Sequence, residues 1–157
     1  GFYNVGNEPS FLSPTLYHWI GRPDLSSSRI HEIIDANYNA SPRGIPGNDD
    51  SGSMSSWLAF HMMGFFPNAG QSYYLINAPY FDSTTLHLEN GDDFTITTEN
   101  MSTANTYIQS AYLNGEDYDL SWIEHKDILD GGELRLIMGS KPSSWGTTLL
   151  PPSMSNN

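Results

Sequence analysis

The sequence predicts an α+β fold in which about three helices precede about five antiparallel β-strands. Up to about residue 70, apolar residues recur three and four positions apart, which is the spacing of one helix face. Beyond that point the apolar spacing becomes two, the period of a strand with one buried face. Aromatic residues make up 13% of the 157 residues, so the chain carries enough apolar surface to fold around a core.

The first two predicted helices lie close together in the chain. Residues 13–20 begin with Ser-Pro, a frequent helix start, and are followed by Gly21, a frequent helix stop. Asp24 is the expected N-cap of the second helix, because its side chain can accept hydrogen bonds from the free amides of the first turn. The apolar stripe of this helix extends from Leu25 to Tyr38.

A loop and a third helix complete the first half. The segment Ser41–Gly47 contains two prolines and two glycines and cannot continue a helix. The third helix is expected from about Ser53 to Met63 and is apolar on nearly every side, which predicts a buried helix. Three helices of this composition need more protein around them, so we expect partner polypeptide to complete the region.

The second half is predicted to form strands joined by turns. Asn90-Gly91 is a typical hairpin turn, and a second Asn-Gly turn follows at Asn114-Gly115. The predicted strands cover residues 73–76, 85–89, 92–97, 106–113 and 133–138, with one helical turn at 125–129. The chain therefore divides into helices and site loops (1–70), antiparallel strands (71–140) and an irregular tail (141–157) that we expect to fray.

The acidic charge balance excludes several classes of partner. The chain has 18 Asp and Glu against 6 Lys and Arg, a net charge of −12. Phosphate binding needs clustered basic residues, so we expect neither a nucleic-acid partner nor binding to an anionic membrane. No apolar run approaches the roughly 20 residues that span a bilayer. The chain has no cysteine, which excludes disulfides, thiolate metal sites and cysteine nucleophiles.

Two glycine-bounded loops concentrate polar side chains just before predicted helices. The first loop, Gly6–Ser10, contains Asn7 and Glu8. The second loop, Gly47–Gly52, contains the sequence Asn-Asp-Asp. Either loop alone is most simply explained as a helix cap, because carboxylates are favoured at helix N-termini.

The adjacent carboxylates of the second loop are harder to explain as caps. Asp49 and Asp50 repel each other, so a cation, a hydrogen-bond network or a shared proton should compensate for their proximity. Oxygen ligands of this kind suit Ca²⁺. They do not suit Zn²⁺ or copper, because the chain lacks cysteine and its five histidines show no paired ligand spacing. The G-x-S-x-G, P-loop and G-x-G-x-x-G motifs are absent from the sequence.

Several segments, taken together, resemble one enzyme family. They are Gly6–Ser10, Pro14–Tyr17, Gly47–Trp57 and Met63–Pro67 and, among the strands, Leu86–Gly91, Tyr107–Ala111 and Leu113–Gly115. Over roughly residues 5–140 the chain is similar to the carboxyl-terminal portion of family 92 glycoside hydrolases, which are calcium-dependent exo-α-mannosidases.

The resemblance implies a fragment of a two-domain enzyme in which a β-sandwich precedes an (α/α)6 barrel. This chain would supply the last helices of the barrel and the strands that pack beside it. The family hydrolyses terminal α-mannosides of N-glycan type with inversion, so the implied reaction is release of α-linked mannose, with α-1,2 the expected linkage. Calcium is the implied cofactor, and it would contact hydroxyl groups of the mannose.

The same resemblance assigns roles to the two loops. Asp50 is expected to be the general base, and Asp49 is the neighbour most easily confused with it. Inversion needs a second carboxyl group roughly 6.5–9.5 Å away. The family's acid lies in an Asn-Ala-Trp-Gln-Tyr-like stretch that this chain lacks, so we expect the remaining amino-terminal polypeptide to supply it. Asn7 and Glu8 are expected to contact calcium and, together with Asn48, the substrate.

Two sequons are consistent with a secreted or periplasmic protein. Asn39-Ala-Ser and Asn100-Met-Ser would permit N-glycosylation in a secretory pathway, although Pro42 directly after the first weakens it. The sequence opens at Gly1 without an initiator methionine or a signal-peptide pattern, and we expect a processed or partial chain.

Two alternatives to an enzyme stay open at this point. One is a non-catalytic, calcium-dependent carbohydrate-binding module, which would bind sugar in isolation and hydrolyse nothing. The other is a structural subunit in which both polar loops only cap helices, so that removing calcium changes neither stability nor ligand binding.

Overall fold

The helical half of the chain forms where the apolar spacing predicts it. In this computed structural model, which describes residues 3–154, two 3₁₀ helices, Glu8–Ser10 and Ser13–Ile20, lead into helix α1, Pro23–Asn37. Helix α2 covers Ser53–Met63, the bounds that the sequence predicts. The predicted helix over residues 13–20 therefore forms, but with the tighter 3₁₀ winding.

The predicted N-cap of helix α1 is wrong. Because Pro23 is the first helical residue, Arg22 takes the cap position and Asp24 lies inside the first turn. The Asp24 carboxylate accepts hydrogen bonds of 2.8 and 2.7 Å from the guanidinium group of Arg22. This ion pair holds the pKa of Asp24 below its usual value.

Residues 3–154 form eight strands, where the sequence predicts five. The strands are β1 (Phe65–Pro67), β2 (Tyr73–Ile76), β3 (Ser83–His87), β4 (Asp93–Glu99), β5 (Tyr107–Leu113), β6 (Glu116–Asp117), β7 (Trp122–Glu124) and β8 (Gly132–Gly139), with helix α3 (His125–Leu129) between the last two. The unpredicted strands β1, β6 and β7 are two or three residues long, which is too short to show an alternating pattern.

The strands form two sheets, and one pairing contradicts the prediction that they are all antiparallel. The smaller sheet has the order β1-β2-β7, and the larger has the order β3-β4-β8-β5-β6. Strand β8 pairs parallel with β4, from Phe94 opposite Gly132 to Glu99 opposite Ile137. The chain reaches this position only after β5, β6, β7 and α3, so β8 returns between two earlier strands.

Two hydrophobic clusters hold these elements together. The first lies under the larger sheet, and the second joins α1, α2 and the first residues of the described chain. Helix α2 is less enclosed than its sequence predicts, because within residues 3–154 it fully buries one stripe, Met54, Trp57 and His61, while Ala59 on another side is exposed. The unburied sides of α2 are available for contact with further polypeptide.

The tail is anchored, contrary to the expected fraying. Trp145 is 6% exposed, and its Nε1 donates a 2.8 Å hydrogen bond to the carbonyl oxygen of Tyr118. The carbonyl oxygen of Pro152 accepts hydrogen bonds from Trp19 Nε1 at 3.2 Å and from the Tyr73 hydroxyl at 3.0 Å. The part of the predicted tail beyond residue 154 lies outside the described residues.

Candidate functional site

The two polar loops identified in the sequence meet in the folded chain. A Cβ atom on Gly6 would lie 2.9 Å from the backbone nitrogen of Gly47, and one on Gly47 would lie 2.6 Å from the carbonyl oxygen of Gly6. Gly47 also has a φ of 68°, a conformation that favours glycine. The close backbone contact between these glycines brings the 3₁₀ helix of Glu8 beside the turn that contains Asp50.

Asp49 is the anchor of the second loop. Its Oδ1 atom accepts a 2.9 Å hydrogen bond from the backbone N–H of Ser55 and a 2.8 Å hydrogen bond from the Ser55 hydroxyl. Its carbonyl oxygen accepts hydrogen bonds from the N–H groups of Gly52 and Met54, at 3.1 and 3.3 Å. The carboxylate therefore caps the first turn of α2, and this hydrogen-bond network offsets part of its repulsion from Asp50.

Asp50 is exposed, like Asp49, but differs from it in adopting an unusual backbone conformation. Its φ is 48° and that of Ser51 is 61°, so two consecutive residues other than glycine are left-handed. The Ser53 hydroxyl donates a 2.8 Å hydrogen bond to the carbonyl oxygen of Asp50. Helix α2 thus ties down the backbone of Asp50 and leaves its carboxyl group accessible.

The carboxyl group of Asp50 has a raised pKa. Partial loss of hydration contributes most, and the negative charges of Glu8 and Asp49 add to it. The Glu8 side chain also favours the protonated form of Asp50, which raises the pKa further. An acid with a raised pKa is a stronger base once ionised, which suits it to accept a proton near neutral pH.

The two asparagines of the loops are also placed at this surface. Asn7 precedes the first 3₁₀ helix, and its side chain makes no capping hydrogen bond. Asn48 is exposed and directly precedes Asp49. Both amide groups are therefore accessible to a ligand, next to the three carboxyl groups of Glu8, Asp49 and Asp50.

The oxygen donors at this surface do not form a complete metal site by themselves. Within residues 3–154, no three acidic or histidine side chains converge with the geometry of metal ligands. Ca²⁺ takes about six to eight oxygen ligands. Asn7 and Glu8 thus have suitable chemistry for Ca²⁺ but are too few to hold it alone.

A small cleft lies next to the acidic turn, on the side of helix α2. It has a volume of about 280 Å³ and is lined by the aromatic rings of Phe11, Trp57 and Phe66 and by the segment 51–53. Trp57 Nε1 donates a 3.1 Å hydrogen bond to the carbonyl oxygen of Phe11, which fixes one wall. A larger cleft of about 460 Å³ lies elsewhere, between the helix of residues 13–20 and the tail.

Two further expectations from the sequence concern glycosylation and membrane-spanning segments. Asn39 and Asn100, the two sequon asparagines, are both exposed. Within residues 3–154, no helix is both long and apolar enough to span a membrane.

Sequence reasoning missed two contributions to the site. It did not assign a role to Ser55, although a serine in the first helical turn after an acidic loop is a recognisable capping partner. It also treated Gly6 and Gly47 only as loop boundaries, because nothing local in the sequence shows that their backbones touch.

Comparison with known proteins gives consistent results. A family model described as the glycosyl hydrolase family 92 catalytic domain matches residues 1–140. A curated protein from Arthroderma benhamiae, described as an uncharacterized secreted glycosidase, is 46% identical over 155 residues, which cover 96% of this chain and 20% of that protein.

Two solved structures from Bacteroides thetaiotaomicron are also similar. A family GH92 α-mannosidase in complex with mannoimidazole has a TM-score of 0.91 and 35% identity, covering 96% of this chain and 20% of that one. A family GH92 inverting mannosidase has a TM-score of 0.88 and 34% identity, covering 96% of this chain and 21% of that one. The chain thus spans about a fifth of the length of the relatives that it matches.

Proposed function

Because the chain belongs to glycosyl hydrolase family 92, we propose that it forms the carboxyl-terminal part of an inverting, calcium-dependent exo-α-mannosidase. The proposed substrate is a terminal, α-1,2-linked mannose of an N-glycan-type oligosaccharide. The descriptions of the Bacteroides relatives, an inverting mannosidase and a mannosidase bound to mannoimidazole, support the reaction class. Since the chain spans about a fifth of these relatives, we assign activity only to the complete polypeptide. We propose that this region contributes the last helices of its (α/α)6 barrel.

The meeting of the two polar loops around Asp50 is the observation that carries the proposal. In the proposed reaction, ionised Asp50 takes a proton from a water molecule, and the water oxygen attacks the anomeric carbon. The glycosidic C–O bond breaks at the same time, and a general acid protonates the departing oxygen. The left-handed turn presents the carboxyl group of Asp50 to this water while its backbone stays tied to α2.

Neither neighbouring acid is suited to be the general acid. Inverting enzymes separate their two carboxyl groups by roughly 6.5–9.5 Å to leave room for the attacking water. Glu8 lies beside Asp50, close enough to raise its pKa, and not across a cleft from it. One carboxylate oxygen of Asp49 already accepts two hydrogen bonds from Ser55, which hold this side chain at the start of α2. We therefore propose that the remaining amino-terminal polypeptide supplies the acid across a sugar-sized cleft, while Glu8 and the exposed Asn48 contact the substrate.

Calcium enters the proposal through Asn7 and Glu8. The two residues offer an amide oxygen and a carboxylate at an exposed surface, which are ligand types that Ca²⁺ prefers. The other ligands would come from water, from substrate hydroxyl groups and from the remaining polypeptide. When bound there, the ion would supply Lewis-acid contact to the mannose hydroxyl groups.

The direct test replaces the proposed base in the complete enzyme. Asp50→Asn should lower kcat by about 10²- to 10⁴-fold, because the amide cannot accept the proton from water. Asp117→Asn is the matched control, since this exposed acid lies on strand β6, and it should leave kcat unchanged. Release of mannose from α-1,2-mannobiose is compared with release from the α-1,3 and α-1,6 isomers, and the proposal expects the first to be fastest.

The same experiment separates the enzyme from its alternatives. Unchanged turnover in Asp50→Asn would refute the assignment of the base. A wild-type protein that binds mannosides only with calcium and hydrolyses none of them would instead be a carbohydrate-binding module. A protein that neither binds nor hydrolyses mannosides would be structural, with both loops acting only as caps.

The two exposed sequons lead to a proposal about processing. The secreted relative from Arthroderma benhamiae supports secretion of this protein as well. We propose that Asn100 carries an N-glycan when the protein passes through a eukaryotic secretory pathway and that Asn39, followed by Pro42, is used less. Peptide mass spectrometry before and after glycosidase treatment tests both sites, and an unmodified Asn100 contradicts the proposal.

A further inference from the structure

We infer that Ser55 is a positioning residue for the reaction: by holding Asp49 at the start of α2, it fixes the turn that presents Asp50. This inference rests on the proposed function, because it takes Asp50 as the base. Ser55 itself is not placed in contact with substrate.

Ser55 donates two hydrogen bonds to a single atom, Oδ1 of Asp49. Its backbone N–H lies 2.9 Å, and its hydroxyl 2.8 Å, from Oδ1 of Asp49. The N–H alone would be enough to cap the helix. The Asp49 side chain is also exposed, so water could satisfy the same oxygen. Helix capping therefore leaves the second donor, the hydroxyl, unexplained.

A strained turn follows Asp49. Left-handed conformations are unfavourable for residues other than glycine, and Asp50 and Ser51 adopt two in succession. Such conformations persist only where the surrounding structure fixes them. The turn is tied on one side by the bonds of Asp49 to Ser55 and on the other by the bond from Ser53 to the carbonyl oxygen of Asp50.

Negative charge is concentrated around this turn. The carboxyl groups that act on Asp50 are those of Glu8, from the neighbouring 3₁₀ helix, and Asp49. Like charges side by side repel each other, and this repulsion is better tolerated when one of them is held in place by hydrogen bonds. The two donors of Ser55 hold the Asp49 carboxylate at the start of the helix, which fixes its position relative to Asp50.

The experiment compares three serine variants in the complete enzyme. Ser55→Ala should lower kcat by about 10- to 100-fold, because a small displacement of the base is costly, while KM changes by less than about 2-fold. Ser55→Thr keeps the hydroxyl and should restore most of kcat. Ser56→Ala is the matched control, since this neighbouring serine is exposed and one position further along the same helix, and it should behave as wild type.

A double substitution tests whether Ser55 acts through Asp49. If it does, adding Ser55→Ala to Asp49→Ala should lower kcat no further than Asp49→Ala alone. Should Ser55→Ala fail to fold, Asp49→Asn answers the same question, because its amide weakens the same pair of hydrogen bonds; kcat should fall with KM unchanged. Full activity in Asp49→Asn would overturn the inference.

The possible failures can be told apart. An active Asp50→Asn enzyme overturns the proposed function. An inactive Asp50→Asn enzyme together with a fully active Ser55→Ala enzyme overturns only the role of Ser55. Equal losses in Ser55→Ala and Ser55→Thr would also overturn it, because they would show that the hydroxyl group is not what matters.

Discussion

Acidification should loosen helix α2 through one buried histidine. His61 is fully buried, stacked on Phe66 with ring centroids 4.5 Å apart, and its Nδ1 lies 2.9 Å from Oδ1 of Asn77. Its pKa is lowered from 6.5 to about 3, chiefly by burial; the Asn77 bond opposes this effect, and the nearby His18 and His31 add to it. The folded chain therefore keeps His61 neutral at pH values where the unfolded chain protonates it.

The sign and the size of the effect follow from this difference. Between about pH 3 and pH 6.5 the unfolded state binds the extra proton, so stability falls as the pH is lowered through that window. Each pH unit below 6.5 lowers the free energy of unfolding by about 1.4 kcal/mol per such group. Protonation of His61 in the unfolded state alone therefore lowers it by about 2 kcal/mol at pH 5. His18 is also fully buried with a lowered pKa and acts in the same direction.

Hydrogen exchange of the α2 amides in the complete protein measures this effect locally. After correction for intrinsic exchange rates, protection at pH 5 should be about 30-fold or more below that at pH 7, which corresponds to about 2 kcal/mol. In His61→Gln, which does not titrate, the difference should shrink by about this factor. His87→Gln is the control, because the His87 side chain is 82% exposed. Equal pH dependence in wild type and His61→Gln would refute the reasoning.

Three further predictions concern the loop contact, the tail and calcium. Gly47→Ala should destabilise the protein by about 1–3 kcal/mol and reduce turnover, because the new Cβ would lie 2.6 Å from the carbonyl oxygen of Gly6. Gly70→Ala is the control, since Gly70 also has a positive φ but a Cβ there would meet nothing within 4 Å. Thermal unfolding should show a smaller loss of stability for Gly70→Ala, and its turnover should be unchanged. Trp145→Phe removes the 2.8 Å hydrogen bond to Tyr118 and should lower the free energy of unfolding in denaturant by about 1 kcal/mol. An unchanged free energy of unfolding would show that the tail does not stabilise the fold through this bond. Chelation of calcium with EDTA should abolish mannoside hydrolysis by the complete enzyme, and restored Ca²⁺ should recover it; activity that survives EDTA contradicts the calcium proposal.

Local signals predicted the elements that have clear boundaries. The end of α2 was predicted because Gly64 follows it, and this glycine has a φ of 105°. Strand β2 was predicted because turn residues flank a short apolar segment, and α3 because Gly131 and Gly132 follow a single helical turn. The parallel pairing of β4 with β8 was not predicted, because an alternating pattern shows which residues face inward but not which strand lies alongside or in which direction.

The candidate site was also predictable from the sequence only in part. Asp49 and Asp50 could be identified because two adjacent acids in a glycine-bounded loop are unusual, and a family resemblance made Asp50 the favoured base. Their different environments were not predictable, because these depend on Ser55 and on the left-handed turn. The contact between Gly6 and Gly47 joins residues far apart in the chain, and no local pattern encodes it.

The central place of β8 in the larger sheet has a consequence for how this region is made. Strand β8 leaves the ribosome after the other seven described strands, yet it alone joins the β3–β4 hairpin to β5 and β6. Until residues 132–139 emerge, β4 and β5 each present an open edge able to pair with another chain. A protein cut short before Gly132 should therefore aggregate, whereas one cut after Gly139 keeps the complete larger sheet.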